Sequence, residues 1–117
     1  MKIAIVDDNA DVAEVMKLLF ESDGCSEVEV FDCPLEALRI IDETYCAVVS
    51  DFDMPHMTGI EFLNRVLEGH PAIRCAILSA APRAVQEIST SYPIFQKGNY
   101  SDLKAIRQWV RNLSTTQ

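Results

Sequence analysis

Five polar side chains of this sequence directly follow or end short apolar runs: Asp7, Asp8, Asp51, Ser79 and Lys97. Three carboxylates brought together repel one another, at about 4 Å by about 1 kcal/mol per pair in water and about 4 kcal/mol at an effective dielectric of 20. A hard divalent cation such as Mg²⁺ removes this repulsion, because it prefers carboxylate and carbonyl oxygens. With a hydroxyl and an ammonium group nearby, a metal-bound Asp51 could attack phosphorus and accept a phosphoryl group.

An alternation of strands and helices must bring these residues together. Apolar, β-prone runs predict strands over residues 2–6, 27–31, 47–49, 73–78 and 94–96. Helical spacing follows each strand, so we expect a parallel sheet covered by helices on both faces, with strand order 2-1-3-4-5. This order places the ends of the first and third strands side by side. Asp7 and Asp8 are therefore predicted to meet Asp51 in one crevice, with Ser79 and Lys97 at the ends of neighbouring strands.

The helices are defined by apolar residues at helical spacing and by their terminal residues. A fourth, weaker helix is predicted from Pro82 to Ser89, and the last helix begins after a cap at Asn99 or Ser101, with Trp109 at the margin of its buried face. The predicted inward residues of the first two helices are Val12, Val15, Met16, Leu19, Phe20, Leu35, Leu38 and Ile41.

Composition restricts the class of protein. The 117 residues are predicted to form one domain over residues 1–117, and no apolar run approaches the roughly 20 residues that span a bilayer. Met1–Val6 runs straight into Asp7, so it is not a signal peptide, and we expect a cytoplasmic location without membrane insertion. The net charge of −8 argues against direct nucleic-acid binding. The four cysteines form no CxxC pair and are predicted to be buried free thiols.

Several short motifs together resemble the receiver domain of two-component response regulators, of the chemotaxis-regulator type. They are Val6-Asp7-Asp8, Asp51 with the segment 54–59 (Met-Pro-His-Met-Thr-Gly), Ser79-Ala80 and Lys97. Each motif alone is weak, but together they stand in the right order at the right strand ends. The resemblance implies a flavodoxin-like (βα)5 fold, an α/β fold with a doubly wound parallel five-stranded sheet.

The resemblance also implies a role for each matched residue. Asp51 is expected to be the phosphoacceptor, and Lys97 and Ser79 to contact the phosphoryl group. Mg²⁺ is expected to bind directly to Asp8, Asp51 and the backbone carbonyl of Asp53, and through water to Asp7. The chain is then no turnover enzyme: it takes a phosphoryl group from phosphohistidine and loses it slowly by autodephosphorylation.

Partners follow from the same resemblance. A histidine kinase or histidine phosphotransfer protein is expected to supply the phosphoryl group, and an unidentified downstream protein to bind the switched form. The chain is expected to be a monomer or a weak, phosphorylation-dependent dimer. Met1 before the first strand and the polar residues 114–117 suit a stand-alone regulator.

Three features depart from the family pattern. Ile94 stands three residues before Lys97, where the family usually has an aromatic switch residue, and Phe95 is predicted on the opposite face of the strand. Gly98 stands where the family usually has a proline after a cis bond. We expect a trans Lys97–Gly98 bond, since a cis bond before a residue other than proline costs about 2.5–4 kcal/mol. The segment between Ser79 and Lys97 is about one helical turn shorter than is usual, at the fourth helix.

Other functions and structural roles are alternatives to a phosphoacceptor receiver domain. Asp7 and Asp8 could simply cap the first helix, and Ser79 could be a turn residue. Asp51-Phe52-Asp53 imitates the DxD motif of haloacid-dehalogenase-like phosphatases, but that class leaves Asp7 and Asp8 unexplained. A flavodoxin-like cofactor binder would need phosphate-binding Gly, Ser and Thr in the first loop. A pseudo-receiver, an interaction module that phosphorylation does not regulate, is the alternative that Ile94 and Gly98 keep open.

Overall fold

Strands and helices alternate along the part of the chain that the computed structural model describes, residues 1–86 and 91–113. The strands are β1 (Lys2–Val6), β2 (Glu27–Phe31), β3 (Ala47–Asp51), β4 (Arg74–Ser79) and β5 (Ile94–Gln96). The helices are α1 (Ala10–Ser22), α2 (Pro34–Ile40), α3 (Gly59–Gly69), α4 (Pro82–Gln86) and α5 (Tyr100–Leu113). The predicted order of elements is confirmed. The remainder of the predicted fourth helix, including Ile88 and Ser89, lies outside the described residues.

All five strands run parallel in one sheet of order β2-β1-β3-β4-β5, as predicted. β1 lies between β2 and β3, with Val6 opposite Ser50, and β4 lies between β3 and β5. The chain therefore reverses its direction of winding between β1 and β3, so the loops after these two strands diverge and leave a crevice between them.

Two apolar clusters, one on each face of the sheet, pack against β1 and β3, the two strands that end at this crevice. One is built around Phe62, Leu63 and Val66 of α3, and the other around Phe20 of α1 and Ile106 of α5. β3 contributes to both, because Val48 faces the first cluster and Val49 the second. Its five residues are all buried, and this fixes the strand that ends in Asp51 from both sides.

Two predicted core residues are exposed. Val15 is 55% exposed and Leu35 is 42% exposed, so their placement in the buried stripes was wrong. The buried arc of α1 is centred on Ala13, Met16 and Phe20. Val15 lies about 130° around the helix from that centre at 3.6 residues per turn, which turns its side chain to solvent.

The cysteines and helix termini give further outcomes. All four cysteines are free; Cys25 and Cys75 are buried as predicted, whereas Cys33 and Cys46 are only half-buried. Asn99 caps α5, because its side-chain oxygen accepts a hydrogen bond from the Asp102 N–H at 3.0 Å.

None of the helices in residues 1–86 and 91–113 is long and apolar enough to cross a membrane.

His56, in the loop between β3 and α3, has a φ of +78°. The left-handed conformation costs a residue with a β-carbon about 1–2 kcal/mol. Glycine avoids this cost, but it lowers the stability of the fold by about 0.5–1 kcal/mol because the unfolded chain gains conformational freedom. We therefore expect His56→Gly to raise the free energy of unfolding by up to about 1 kcal/mol in urea denaturation. His70→Gly is the matched control, because His70 has a φ of −141° and should only lose stability. Equal losses in both variants would contradict the prediction.

Candidate functional site

The three predicted carboxylates meet at the carboxyl edge of the sheet. Asp51 ends β3, Asp7 and Asp8 follow the adjacent β1, and one oxygen of each lies within 4.8 Å of the others. Asp7 and Asp51 are buried, whereas Asp8 is exposed at the mouth of the crevice. The predicted cluster is thus confirmed as an arrangement of side chains, and it can hold a small cation.

Asp7 is the deepest of the three carboxylates. Its Oδ1 accepts a hydrogen bond from the Asn9 N–H at 2.8 Å, and the Asn9 side chain in turn caps α1 by accepting from Asp11 and Val12. Its Oδ2 is buried and contacts the Lys97 ammonium, with 2.8 Å between Oδ2 and Nζ. A buried anionic oxygen needs a cationic partner, because an unpaired buried charge is costly, and Lys97 supplies that partner here.

Lys97 joins two of the carboxylates. Its Nζ lies 2.8 Å from Asp7 Oδ2 and 3.1 Å from Asp51 Oδ1, and its side chain is only 17% exposed. Burial acts to lower the pKa of Lys97, but the contacts with Asp7 and Asp51 together outweigh it and raise the pKa above its usual value. The lysine is therefore charged at neutral pH and partly neutralises the cluster.

Asp51 has the most perturbed carboxyl group of the site. Burial, followed by the nearby Asp7 charge, raises the pKa of Asp51 to about 6 against the opposing contacts with Lys97 and the Phe52 backbone N–H. At neutral pH most of the carboxyl group is still ionised, and it is a stronger base than an exposed aspartate. These are properties of a carboxylate that can act as a nucleophile.

Ser79 and Lys97 end neighbouring strands, as predicted. The Lys97 N–H donates to the Ser79 carbonyl at 2.8 Å, so the backbones of the two residues are directly bonded. The Ser79 side chain is buried, and its Oγ accepts from the Ala81 N–H at 3.0 Å. That bond uses a lone pair of the hydroxyl, so the Ser79 proton is left for an anionic acceptor in the crevice.

The loop after Asp51 closes by a bridge between Asp53 and Thr58. Thr58 caps α3 in a reciprocal capping box with Glu61, which the Thr-x-x-Glu spacing could have predicted. The Asp53 side chain is exposed, and its carboxylate does not belong to the cluster of Asp7, Asp8 and Asp51.

Two residues that support Asp51 were not predicted. Ser50 is fully buried, and its Oγ donates to the Asp51 carbonyl oxygen at 2.8 Å. Gly59 lies so close that a β-carbon there would overlap the same carbonyl oxygen. A glycine at the start of a helix eight residues after the carboxylate is a signal for close backbone approach. A serine inside an apolar strand carries no comparable signal.

β5 and the Gly98 that follows it have the arrangement predicted from the sequence. Ile94 packs against the first cluster and Phe95 against the second, so the aromatic ring does lie on the opposite face. The Phe95 and Trp109 ring centroids are 6.4 Å apart, which places Trp109 at the margin of the buried face of α5. No cis peptide bond occurs among the described residues, so the Lys97–Gly98 bond is trans as predicted, and Gly98 has a φ of +75°.

Comparison with known proteins settles the family to which this fold and acidic crevice belong. A family model described as the response regulator receiver domain matches residues 3–91. The chain belongs to this family. The receiver domain is a module of two-component systems, and the predicted resemblance is confirmed.

Individual relatives agree with this assignment. The receiver is 45% identical over 69 residues to the transcriptional regulatory protein FlgR of Helicobacter pylori, a match that covers 59% of this chain and 18% of that protein. It is 32% identical over 85 residues to a protein-glutamate methylesterase/protein-glutamine glutaminase of Shewanella oneidensis, covering 68% of this chain and 23% of that protein. The chain thus spans about a fifth of the length of these curated relatives.

Solved structures show the same fold. A receiver domain from Clostridium thermocellum superposes with a TM-score of 0.81 at 23% identity, covering 97% of this chain and 94% of that one. A CheY-like receiver domain from Methanospirillum hungatei gives a TM-score of 0.74 at 19% identity, covering 97% and 96%. The flavodoxin-like doubly wound fold is therefore confirmed.

Proposed function

We propose that this receiver accepts a phosphoryl group on Asp51 from the phosphohistidine of a histidine kinase or histidine phosphotransfer protein in the cytoplasm. The observation that carries the proposal is the joint contact of Lys97 Nζ with Asp7 and Asp51. An oxygen of each of these carboxylates lies within 4.8 Å of an Asp8 oxygen. Phosphoryl transfer requires mainly positioning and charge neutralisation, and this group of residues supplies both.

The donor set of the crevice fits Mg²⁺. It offers the hard carboxylate oxygens of Asp7, Asp8 and Asp51, which lie within 4.8 Å of one another. Asp8, Asp51 and the Asp53 backbone carbonyl would hold the ion directly, and Asp7 through water. The exposed Asp53 carboxylate would take no part. The ion, when bound, neutralises charge on the oxygens of the transferred group.

The proposed transfer forms one bond to phosphorus and breaks another. A carboxylate oxygen of Asp51 bonds to phosphorus as the P–N bond to the donor imidazole breaks. The imidazole leaves with the bonding electron pair and takes up a proton from solvent. The Lys97 ammonium then moves its contact from the Asp51 carboxylate to a phosphoryl oxygen, and Ser79 donates its hydroxyl proton to another.

The approach of the donor is restricted by α1, which begins directly after the acidic loop. Val15 and Leu18 are two exposed apolar residues on α1, next to the exposed carboxylates of Asp11 and Glu14. Between α1 and α5, beside Lys97, a cavity of about 450 Å³ is lined largely by apolar side chains, including those of Val12 and Leu103. We propose that the phosphodonor protein contacts this face, because α1 begins at Ala10, two residues after Asp8 at the mouth of the crevice.

Phosphorylation with a small P–N donor tests the function. Wild-type protein incubated with phosphoramidate and Mg²⁺ should gain one phosphoryl group by intact mass, and chelation of the metal should prevent the gain. Asp51→Asn should gain nothing, because its amide is not a nucleophile. Asp53→Asn is the matched control and should be phosphorylated normally, since it keeps the backbone carbonyl. No gain in wild type, or equal gain in Asp51→Asn, would refute the proposal.

A pseudo-receiver is the second candidate, and Ile94 is the observation that favours it. Ile94 is half-buried against the first cluster and cannot make the hydrogen bonds of an aromatic hydroxyl. Amide NMR spectra of the protein before and after treatment with phosphoramidate separate the candidates. Shifts that extend along β5 and α5 would support a regulated switch. Shifts confined to the crevice, or none, would support the pseudo-receiver.

A further inference from the structure

Ser50 carries a hydroxyl that neither the carboxylate cluster nor the proposed transfer uses. It precedes Asp51 in β3, is fully buried, and lies opposite the apolar Val6 and Ile77 of the adjacent strands. A buried hydroxyl is costly unless it is hydrogen-bonded. The Ser50 Oγ makes its bond at 2.8 Å to the carbonyl oxygen of Asp51.

The Asp51 carbonyl is held from a second direction. The Gly59 α-carbon approaches it so closely that no β-carbon fits, and the Gly59 N–H donates to the next carbonyl, that of Phe52, at 2.7 Å. The peptide that follows the proposed phosphoacceptor is therefore fixed between a side chain of β3 and the first residue of α3.

The same hydroxyl reaches the loop that carries Asp53. The Met54 sulfur lies 3.8 Å from Ser50 Oγ, within range of a weak hydrogen bond, although the single hydroxyl proton is directed mainly to the closer Asp51 carbonyl. Ser50 thus contacts the peptide after Asp51 and the residue after Asp53. Both proposed metal-binding points of this loop, the Asp51 carboxylate and the Asp53 carbonyl, depend on the orientation of that peptide.

We propose that Ser50 is a positioning residue for the metal and phosphoacceptor site. Its hydroxyl fixes the Asp51–Phe52 peptide, and so sets how the Asp51 carboxylate and the Asp53 carbonyl face Asp7 and Asp8. The effect on phosphorylation rests on the function proposed above, whereas the effect on Mg²⁺ binding can be measured without any phosphodonor. Small displacements matter, because a shift of about 1 Å in a reacting group can cost about a hundredfold in rate.

Three variants test this role. Ser50→Ala removes the hydroxyl, Ser50→Thr keeps it, and Val48→Ala removes buried volume from the same face of the same strand without a contact to the Asp51 carbonyl. The measurements are Mg²⁺ affinity by calorimetry, the phosphorylation rate with phosphoramidate and Mg²⁺ by intact mass, and urea unfolding to compare stability. We expect Ser50→Ala to weaken Mg²⁺ binding about tenfold, the usual scale for a residue that orients a metal ligand.

The controls separate positioning from stability. Val48→Ala should be destabilised at least as much as Ser50→Ala yet bind Mg²⁺ within about twofold of wild type, and Ser50→Thr should restore most of the affinity. Unchanged Mg²⁺ affinity in Ser50→Ala, or an equal loss in Val48→Ala, would overturn the role of Ser50 even if Ser50→Thr failed to fold. A wild type that binds Mg²⁺ but accepts no phosphoryl group would refute the proposed function alone. A wild type that binds no Mg²⁺ would refute both.

Discussion

Lys97→Met should lower the free energy of unfolding of the metal-free protein by about 3–5 kcal/mol, the usual cost of removing one partner from a buried ion pair. Methionine has a similar length but no charge, so the variant leaves Asp7 and Asp51 facing each other in a site where both are buried. Their repulsion is then relieved only by proton uptake or by a cation.

Mg²⁺ should restore much of this loss. The lysine and the ion compete for the same two carboxylates, so the ion should stabilise Lys97→Met more than wild type, by an amount that rises with concentration. Urea unfolding at neutral pH, with chelator and then with increasing Mg²⁺, measures both effects. Lys104→Met is the matched control, because Lys104 is exposed on α5 and its loss should cost no more than about 0.5 kcal/mol. If the two variants lost equal stability, Lys97 would not hold the cluster together.

Asp51→Asn should be more stable than wild type at neutral pH without metal, by about 3 kcal/mol. The folded-state pKa of Asp51 is raised from 3.8 to about 6, so folding favours the protonated carboxyl group. The stability that this preference contributes is fully present below about pH 4 and is lost as pH rises to about 6. Asparagine resembles the protonated form and never ionises, so the variant avoids the loss.

The pH dependence is the signature of this effect. Urea unfolding with chelator should give nearly equal stabilities for Asp51→Asn and wild type at about pH 4, with the difference growing to its full value above about pH 6. Asp53→Asn removes an exposed carboxylate outside the cluster and should stay within about 0.5 kcal/mol of wild type throughout. A difference between Asp51→Asn and wild type that did not change with pH would show that ionisation of Asp51 is not its cause.

Prediction from sequence succeeded where short loops and strand ends determine position. Asp7, Asp8 and Asp51 could be placed together because each follows a buried strand, and right-handed crossovers leave few strand orders. The predicted proximity of Ser79 and Lys97 has the same origin. These features depend on the spacing of apolar residues and on the order of strands and helices along the chain, and both can be read from the sequence.

Prediction failed where the answer depends on packing between elements. Val15 fits a helical stripe, but only contact with the sheet decides which part of the apolar arc of α1 is buried. The contact of Lys97 with Asp7 as well as Asp51 depends on the side-chain path across the crevice. Ser50 was missed because a serine in an apolar strand acquires its role from the carbonyl that it meets.

The position of the one tryptophan, Trp109, has a practical consequence. Its ring contacts Phe95, two residues before the lysine that bonds to the acidic crevice. Indole emission depends on the polarity and packing around the ring, so any change of β5 that accompanies a new Lys97 contact alters the signal of a single fluorophore. The protein therefore carries an intrinsic optical reporter on the face of the sheet opposite Ile94, and its conformational kinetics can be followed without a label.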